Sequence, residues 1–334
     1  MKRLAWIAPA LVVSAVACVS GGAGPKTECS GDATACLQGS VTLQGFTATP
    51  MQVEASLFRE FPSTGAVALR TVPIAGDGTW AFGDLAPWEH YYIEVQAGFG
   101  QSQDVGGFIG PLGVPVSGGP VAIQLKPAQL TVLEQAAAGA ALQVQSVVAY
   151  LFDPATGAPL QGATVSILLG GMAVPLPWTT IPGSTSDGYY ATFSTAVPAQ
   201  ATYTITSSAP GASGPTTWQL VANPPTFTPS LSAPVANANV PVNQPLTVSW
   251  TAQPMADEEL VTLYAQMGSA WSQVYALPAP VDPDVTTATI PGSDVGPAGQ
   301  SLLVNVAFVQ GSCPASADGC VVGEMIAPAQ ITAR

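Results

Sequence analysis

From Leu37 onward the chain runs in short stretches of alternating apolar and polar side chains, broken by Gly, Pro or Asp-Gly. Val41-Thr42-Leu43-Gln44, Val53-Glu54-Ala55-Ser56-Leu57, Val67-Ala68-Leu69-Arg70 and Tyr92-Ile93-Glu94-Val95 are of this kind. Successive side chains of an extended strand point to opposite faces, so a period of two predicts half-buried strands. Asp77-Gly78 predicts a tight turn, because Gly tolerates the positive φ of hairpin turns. The same pattern recurs downstream. Phe152 to Val165 reads as strand, turn and strand, Asp187-Gly188 leads into Tyr189–Phe193, and Thr202–Thr206 alternates again. Further strands are expected at Gln244–Ala252, Leu260–Tyr264, Thr287–Ile290 and Leu302–Val309.

These runs predict an all-β fold of three β-sandwich domains in series, over residues 37–126, 127–222 and 230–334. Residues 223–229 (Asn-Pro-Pro-Thr-Phe-Thr-Pro) separate the last two as a stiff, extended linker, since neighbouring prolines favour polyproline geometry.

Composition agrees. The 334 residues include 34 Gly and 32 Pro, both of which break helices, while 48% hydrophobic content supplies material for buried cores. Seven Lys and Arg against twenty Asp and Glu give a net charge of −13, which excludes a phosphate-binding surface and hence nucleic acid as a partner. Gln135–Phe152 and Gly188–Ala256 carry no charge. Gly, Gln, Ser or Pro interrupt both at strand-like intervals, unlike a spanning helix of about 20 mostly apolar residues.

Residues 1–17 read as an export signal: Lys2-Arg3, the apolar run Leu4 to Val13, then Ala15-Val16-Ala17. Ser14-Ala15-Val16-Ala17-Cys18 resembles a bacterial lipobox, with Ala15 where most carry Leu. That resemblance implies lipidation of Cys18 and a membrane partnership through an N-terminal anchor. Val19 in place of Asp implies outer-membrane sorting. Lipidation of Cys18 also removes the odd thiol among five cysteines. The other four form two Cys-x6-Cys pairs, Cys29 with Cys36 and Cys313 with Cys320. In an oxidising compartment disulfides are the default, and local pairing costs least chain entropy, although four cysteines permit three connectivities. Residues 18–36 then form a lipidated tether holding the first loop.

Gly157-Ala158-Pro159-Leu160-Gln161-Gly162-Ala163-Thr164-Val165, followed by Asp187-Gly188-Tyr189 and an alternating strand, resembles the carboxypeptidase regulatory-like (transthyretin-like) β-sandwich. Residues 37–126 echo it through Gly39-Ser40-Val41 and Asp77 to Pro87, with Trp88-Glu89-His90-Tyr91 where that family has a Gly-Tyr step. Gln244 to Ala252 is similar to an early strand of fibronectin type III or immunoglobulin-like domains, and this resemblance implies that Trp250 packs between two sheets.

Catalytic chemistry finds few candidates. His90 is the one histidine, no Gly-x-Ser-x-Gly elbow is present, and neither a phosphate-binding Gly-x4-Gly-Lys loop nor a His-Glu-x-x-His pair occurs. His90 therefore reads as a half-exposed strand-edge residue. Asp257-Glu258-Glu259 with Asp282 and Asp284 offers oxygen ligands of the kind that hold Ca²⁺. None matches a calcium loop, so solvated loop charge is the better expectation, and no metal or cofactor is expected. Trp88 and Trp178, beside prolines in loops, and Tyr91, at the mouth of a predicted strand, are the candidates for stacking on a sugar ring, whereas Trp80, Tyr189 and Trp250 are expected in cores. The expected function is a non-catalytic outer-membrane, cell-surface lipoprotein, a rod of sandwiches for adhesion, glycan or envelope-protein binding, or structure. An envelope enzyme or peptidase-accessory subunit is the alternative.

Overall fold

Seven strands make the N-terminal module: β1 (Leu37–Leu43), β2 (Gln52–Phe58), β3 (Arg70–Pro73), β4 (Thr79–Phe82), β5 (His90–Gly98), β6 (Val105–Gly113) and β7 (Val121–Leu125). This computed structural model describes residues 29, 35–62, 66–87, 89–101, 103–114, 120–182, 184–198, 200–277, 285–314 and 319–334. The expected leader and Cys18 lie outside them. The seven strands form two sheets, ordered β4-β1-β7 and β3-β2-β5-β6. Val41, Phe82 and Ile123 of the first sheet meet Leu57, Ile93 and Val95 of the second in one core. The expected turn at Asp77-Gly78 is present. Gly78 has φ +84°, and the Asp77 carboxylate accepts from the Thr79 amide (3.0 Å) and hydroxyl (2.7 Å). The strand expected at 67–70 instead spans Arg70–Pro73, and Val67 and Leu69 are exposed.

The middle module contains β8 (Ala128–Ala137), β9 (Gln143–Leu151), β10 (Thr164–Leu169), β11 (Met172–Leu176), β12 (Trp178–Thr180), β13 (Asp187–Ala196), β14 (Thr202–Ser208) and β15 (Thr216–Val221). Its sheet β11-β10-β14-β15 has the two-hairpin order of β3-β2-β5-β6. Asp187-Gly188 opens β13 much as Asp77-Gly78 precedes β4, and each of these strands pairs antiparallel with a central strand, β9 or β1. The two modules are thus variants of one plan.

The C-terminal module contains β16 (Leu231–Ala233), β17 (Asn239–Val240), β18 (Leu246–Trp250), β19 (Glu258–Met267), β20 (Ala270–Ala276), β21 (Thr287–Ile290), β22 (Ser301–Ser312) and β23 (Cys320–Ala333). One layer is β16-β18-β21 and the facing layer runs β23-β22-β19-β20, with β17 joining parallel on β23. Two layers of this kind are the arrangement of immunoglobulin-type sandwiches. Trp250 is buried between them, as the sequence resemblance implies.

The sandwiches follow one another along the chain, but in space they are not a rod of separate units. β23 pairs parallel with β8, from Cys320 opposite Thr131 to Ile326 opposite Ala137. The middle and C-terminal modules therefore share a nine-stranded sheet whose main path is β12-β13-β9-β8-β23-β22-β19-β20. The N-terminal module covers the back of this sheet. Along β9, Val147 and Ala149 enter the middle module's core while Val148 and Tyr150 enter the N-terminal one. On β23, Val321 faces the middle core and Val322 the back. A strand buried on both faces loses its alternation, which is why Val147–Phe152 is continuously apolar. The Pro-rich segment is not a free spacer either. Phe227 is buried in the C-terminal core, and a side chain on Gly323 would come within 2.7 Å of Pro225.

Candidate functional residues and the module junction

The residues singled out for ligand contact do not form one surface. Tyr91 is 4% exposed and belongs to the N-terminal core, and its hydroxyl accepts the Ala86 amide at 3.2 Å. The expectation of a stacking ring there is corrected: Tyr91 falls on the inward side of β5, and alternation sends it into the core. Trp178 is half-buried, edge-on to Tyr189 with ring centroids 5.0 Å apart, and packs on the middle core. Trp88, Asp282 and Asp284 lie outside the described residues. Trp80, Tyr189 and Trp250 are core residues. His90 is exposed where β5 begins, opposite Gly113.

Both local disulfides are present, Cys29–Cys36 and Cys313–Cys320, with Cα separations of 5.7 and 4.3 Å. Such bridges are the mark of a chain that matures in an oxidising compartment.

The largest departure from expectation is Asp257-Glu258-Glu259. These acids are not solvated loop charge but are 8%, 2% and 0% exposed. They sit where β19 begins, and its antiparallel pairing with β22 draws them inside. Asp257 is consequently no open calcium ligand. Among the described residues no group of three or more His, Cys, Asp or Glu side chains is placed to hold a metal ion.

Asp257 instead stands where the N-terminal module docks on the shared sheet. Its Oδ2 lies 2.7 Å from the Gly311 amide, which donates to it, and 2.7 Å from the Tyr92 hydroxyl on β5. The same hydroxyl lies 2.7 Å from the Gly311 carbonyl. Burial pushes the Asp257 carboxyl up to about 7, outweighing its hydrogen bonds, and Glu60 adds to the rise. Burial likewise drives the Tyr92 phenol upward, and Asp257 reinforces that shift. Phe61 meets Tyr92 edge-on at 5.6 Å and fills the space above Gly311, where a Cβ would lie 2.1 Å from the ring. Beside it, Gly110 and Cys313 exchange backbone hydrogen bonds of 3.0 and 2.7 Å. The disulfide-closed hairpin tip of β22–β23 is thereby sewn to β6.

Other buried acids also tie elements together. Glu324 of β23 accepts from the Gln135 amide of β8 at 2.6 Å, and Glu134 accepts from the Tyr203 hydroxyl. Burial raises the pKa of both carboxyls. The Trp250 indole N–H donates to Glu259. Tyr92 was legible only as one polar-tipped position of an alternating strand, and nothing near it in sequence signals a partner 165 residues away.

The class this architecture defines is an all-β protein of fused β-sandwiches. No protein-family model matches the chain, and no curated protein does. Among solved structures it is similar to the FN1–FN3 domains of chicken CNTN1, at 11% identity over 84% of this chain and 90% of that one, with TM-score 0.21. It is also similar to fibronectin(III)-like modules of Clostridium thermocellum CbhA, at 14% identity over 62% of this chain and 94% of that one, TM-score 0.22. Titin Ig tandem domains A164-A165 match at 12% identity over 62% and 94% of the two chains, TM-score 0.18. At such scores the sheet topology described above, and not these likenesses, carries the assignment. Among the described residues no helix is long and apolar enough to cross a membrane.

Proposed function

We propose that this chain is a non-catalytic, lipid-anchored protein of the bacterial outer membrane that serves at the cell surface as a binding or structural module. The observation that supports this most is how its ionisable side chains are used. Asp257, Glu134, Glu259 and Glu324 are buried and hydrogen-bonded to residues that hold the fold together. His90 stands exposed at a strand start. A chain that commits its acids to holding strands and sandwiches together is suited to bearing a shape, not to moving protons for a substrate.

The anchor reading rests on Ser14 to Cys18, whose likeness to a lipobox makes Cys18 the acylated residue. Several acyl chains on one cysteine give stable attachment where a single chain gives only a marginal one. The first strand begins at Leu37, immediately after the Cys29–Cys36 loop, so this reading holds the sandwich block close to the bilayer. The likeness of 157–193 to carboxypeptidase regulatory-like domains fits an accessory or displayed module. In carboxypeptidases that module accompanies a separate zinc catalytic domain, and fold alone does not carry activity.

Mass spectrometry of the mature N-terminal peptide tests the anchor. The expected result is acyl-modified Cys18 and partition into the detergent phase, with Cys18→Ser moving the protein to the aqueous phase. An unmodified amino terminus on a water-soluble protein would overturn it. Binding to a neutral glycan that weakens on Trp178→Ala would identify the ligand class.

A further inference from the structure

The contacts around Tyr92 set a proton-counting problem. Its oxygen lies 2.7 Å from Asp257 Oδ2 and 2.7 Å from the Gly311 carbonyl oxygen. A phenol has one proton and a carbonyl none, so one proton cannot lie along both contacts. With Asp257 ionised, either the phenol donates to it and faces the carbonyl lone pair to lone pair, or the reverse. With Asp257 neutral and its proton on Oδ2, that hydroxyl donates to the Tyr92 oxygen, Tyr92 donates to the Gly311 carbonyl, and the Gly311 amide donates to the remaining lone pair of the same Oδ2. Buried polar atoms without partners are costly, so the neutral arrangement is the satisfied one.

The charges around the site favour it too. Facing Asp257 are Tyr92 from β5, Glu60 from the segment after β2, and Glu258 beside it at the start of β19, which acts on Tyr92. On β22 the site presents Gly311. On β23, Glu324 is held by Gln135; directly after β2, Arg59 pairs with Glu89 at 2.8 Å, both of these side chains being partly exposed. The two ends of this hydrogen-bond chain belong to different modules: Tyr92 to the N-terminal sandwich, Asp257 and Gly311 to the C-terminal one.

We propose that a proton on Asp257 latches the N-terminal sandwich onto the shared sheet, and that losing this proton as pH rises through neutrality loosens that junction. The device is a regulated contact between modules, independent of any lipid anchor or ligand.

Hydrogen exchange on the full mature chain tests it. The readouts are the Gly311 amide, which donates to Asp257 itself, and the Cys313 amide, which bonds across the junction to Gly110. Val304, in the middle of β22, serves as the control. After correction for intrinsic exchange, one linked proton predicts that protection of Gly311 and Cys313 falls about tenfold per pH unit from mild acid towards neutrality. It then levels off, while Val304 holds. Asp257→Asn, which cannot ionise, should flatten the profile. Tyr92→Phe takes away the acceptor of the Asp257 proton and the donor to the Gly311 carbonyl, so protection of Gly311 and Cys313 in mild acid should fall towards its neutral-pH value, whereas loss of packing alone would lower it equally at every pH. A flat profile in the native protein, or an unchanged slope in Asp257→Asn, overturns the proposal.

Discussion

Replacing Leu133 by alanine should unsettle all three sandwiches at once. Leu133 comes from β8 of the middle module, is 6% exposed, and lies in a cluster with Phe58 and Tyr92 of the N-terminal module and Val309 and Val322 of the C-terminal one. The change deletes three buried carbon atoms, worth about 2.4 kcal/mol at about 0.8 kcal/mol each. A residual cavity brings the loss to about 3 kcal/mol, within the usual range of about 2–5 kcal/mol for such substitutions. Against a typical stability of about 5–15 kcal/mol that is a large fraction. Each module carries a buried tryptophan, Trp80, Trp218 and Trp250, so fluorescence and circular dichroism in urea report on all three. The expected result is one coincident transition, displaced as a whole. If Leu133→Ala instead splits the curve, or moves it by less than about 0.5 kcal/mol, a surface-like value, then the sandwiches are independent and the reasoning fails.

Other perturbations follow from the same contacts. Asp257 titrates near 7 when folded against an ordinary 3.8, so the folded state binds the extra proton between these values. Stability is therefore greatest in acid, falls as pH rises from about 4 to about 7, and is level above, with Glu134 and Glu324 shifted in the same sense. A urea midpoint measured against pH checks the sign, and one that rises over that window contradicts it. Gly311→Ala places a Cβ 2.1 Å from the Phe61 ring and should cost about 1–3 kcal/mol by overpacking, read as increased proteolysis at the junction. Gly78→Ala meets both a φ of +84° and the Val41 carbonyl 2.6 Å away. It should lower the melting temperature, whereas Gly139→Ala, at similar φ but with no atom within 4 Å, should lower it less. Opening Cys313–Cys320 with Cys313→Ser and Cys320→Ser should weaken docking of the hairpin tip, seen as faster exchange at Gly110.

Much of the strand content was legible because single-faced strands advertise themselves. β2, β5, β14 and β18 each alternate as their faces require, and Asp77-Gly78 located the turn before β4, whereas Asp187-Gly188, expected as a second turn, are the first two residues of β13 and pair with Thr180 and Thr179. β8, β9 and β23 were hidden for a physical reason: at the centre of the shared sheet both of their faces are covered, so their apolar residues run together. Had the uncharged run Gln135–Phe152 been read as a two-sided strand, a covering layer would have followed from it. The docking site was harder still. Asp257-Glu258-Glu259 looks like surface charge, since carboxylates are rarely buried without partners. What buries them is the β19–β22 pairing and a tyrosine far away in sequence, and one chain read locally carries no trace of that encounter. Tyr91 misled in the opposite direction, being one residue out of phase with the wet side of its strand.

The fusion of the middle and C-terminal sandwiches through β8 and β23 underlies all of this, and an engineered crosslink tests it directly. Gln135 and Glu324 are opposite one another in that ladder and already hydrogen-bonded at 2.6 Å, so their Cβ atoms point the same way. In Gln135→Cys/Glu324→Cys, oxidation should join the two new thiols within one chain and leave Cys29–Cys36 and Cys313–Cys320 intact, as peptide mapping would show. Two thiols that remain open to alkylation in the folded protein would mean that the strands are not neighbours.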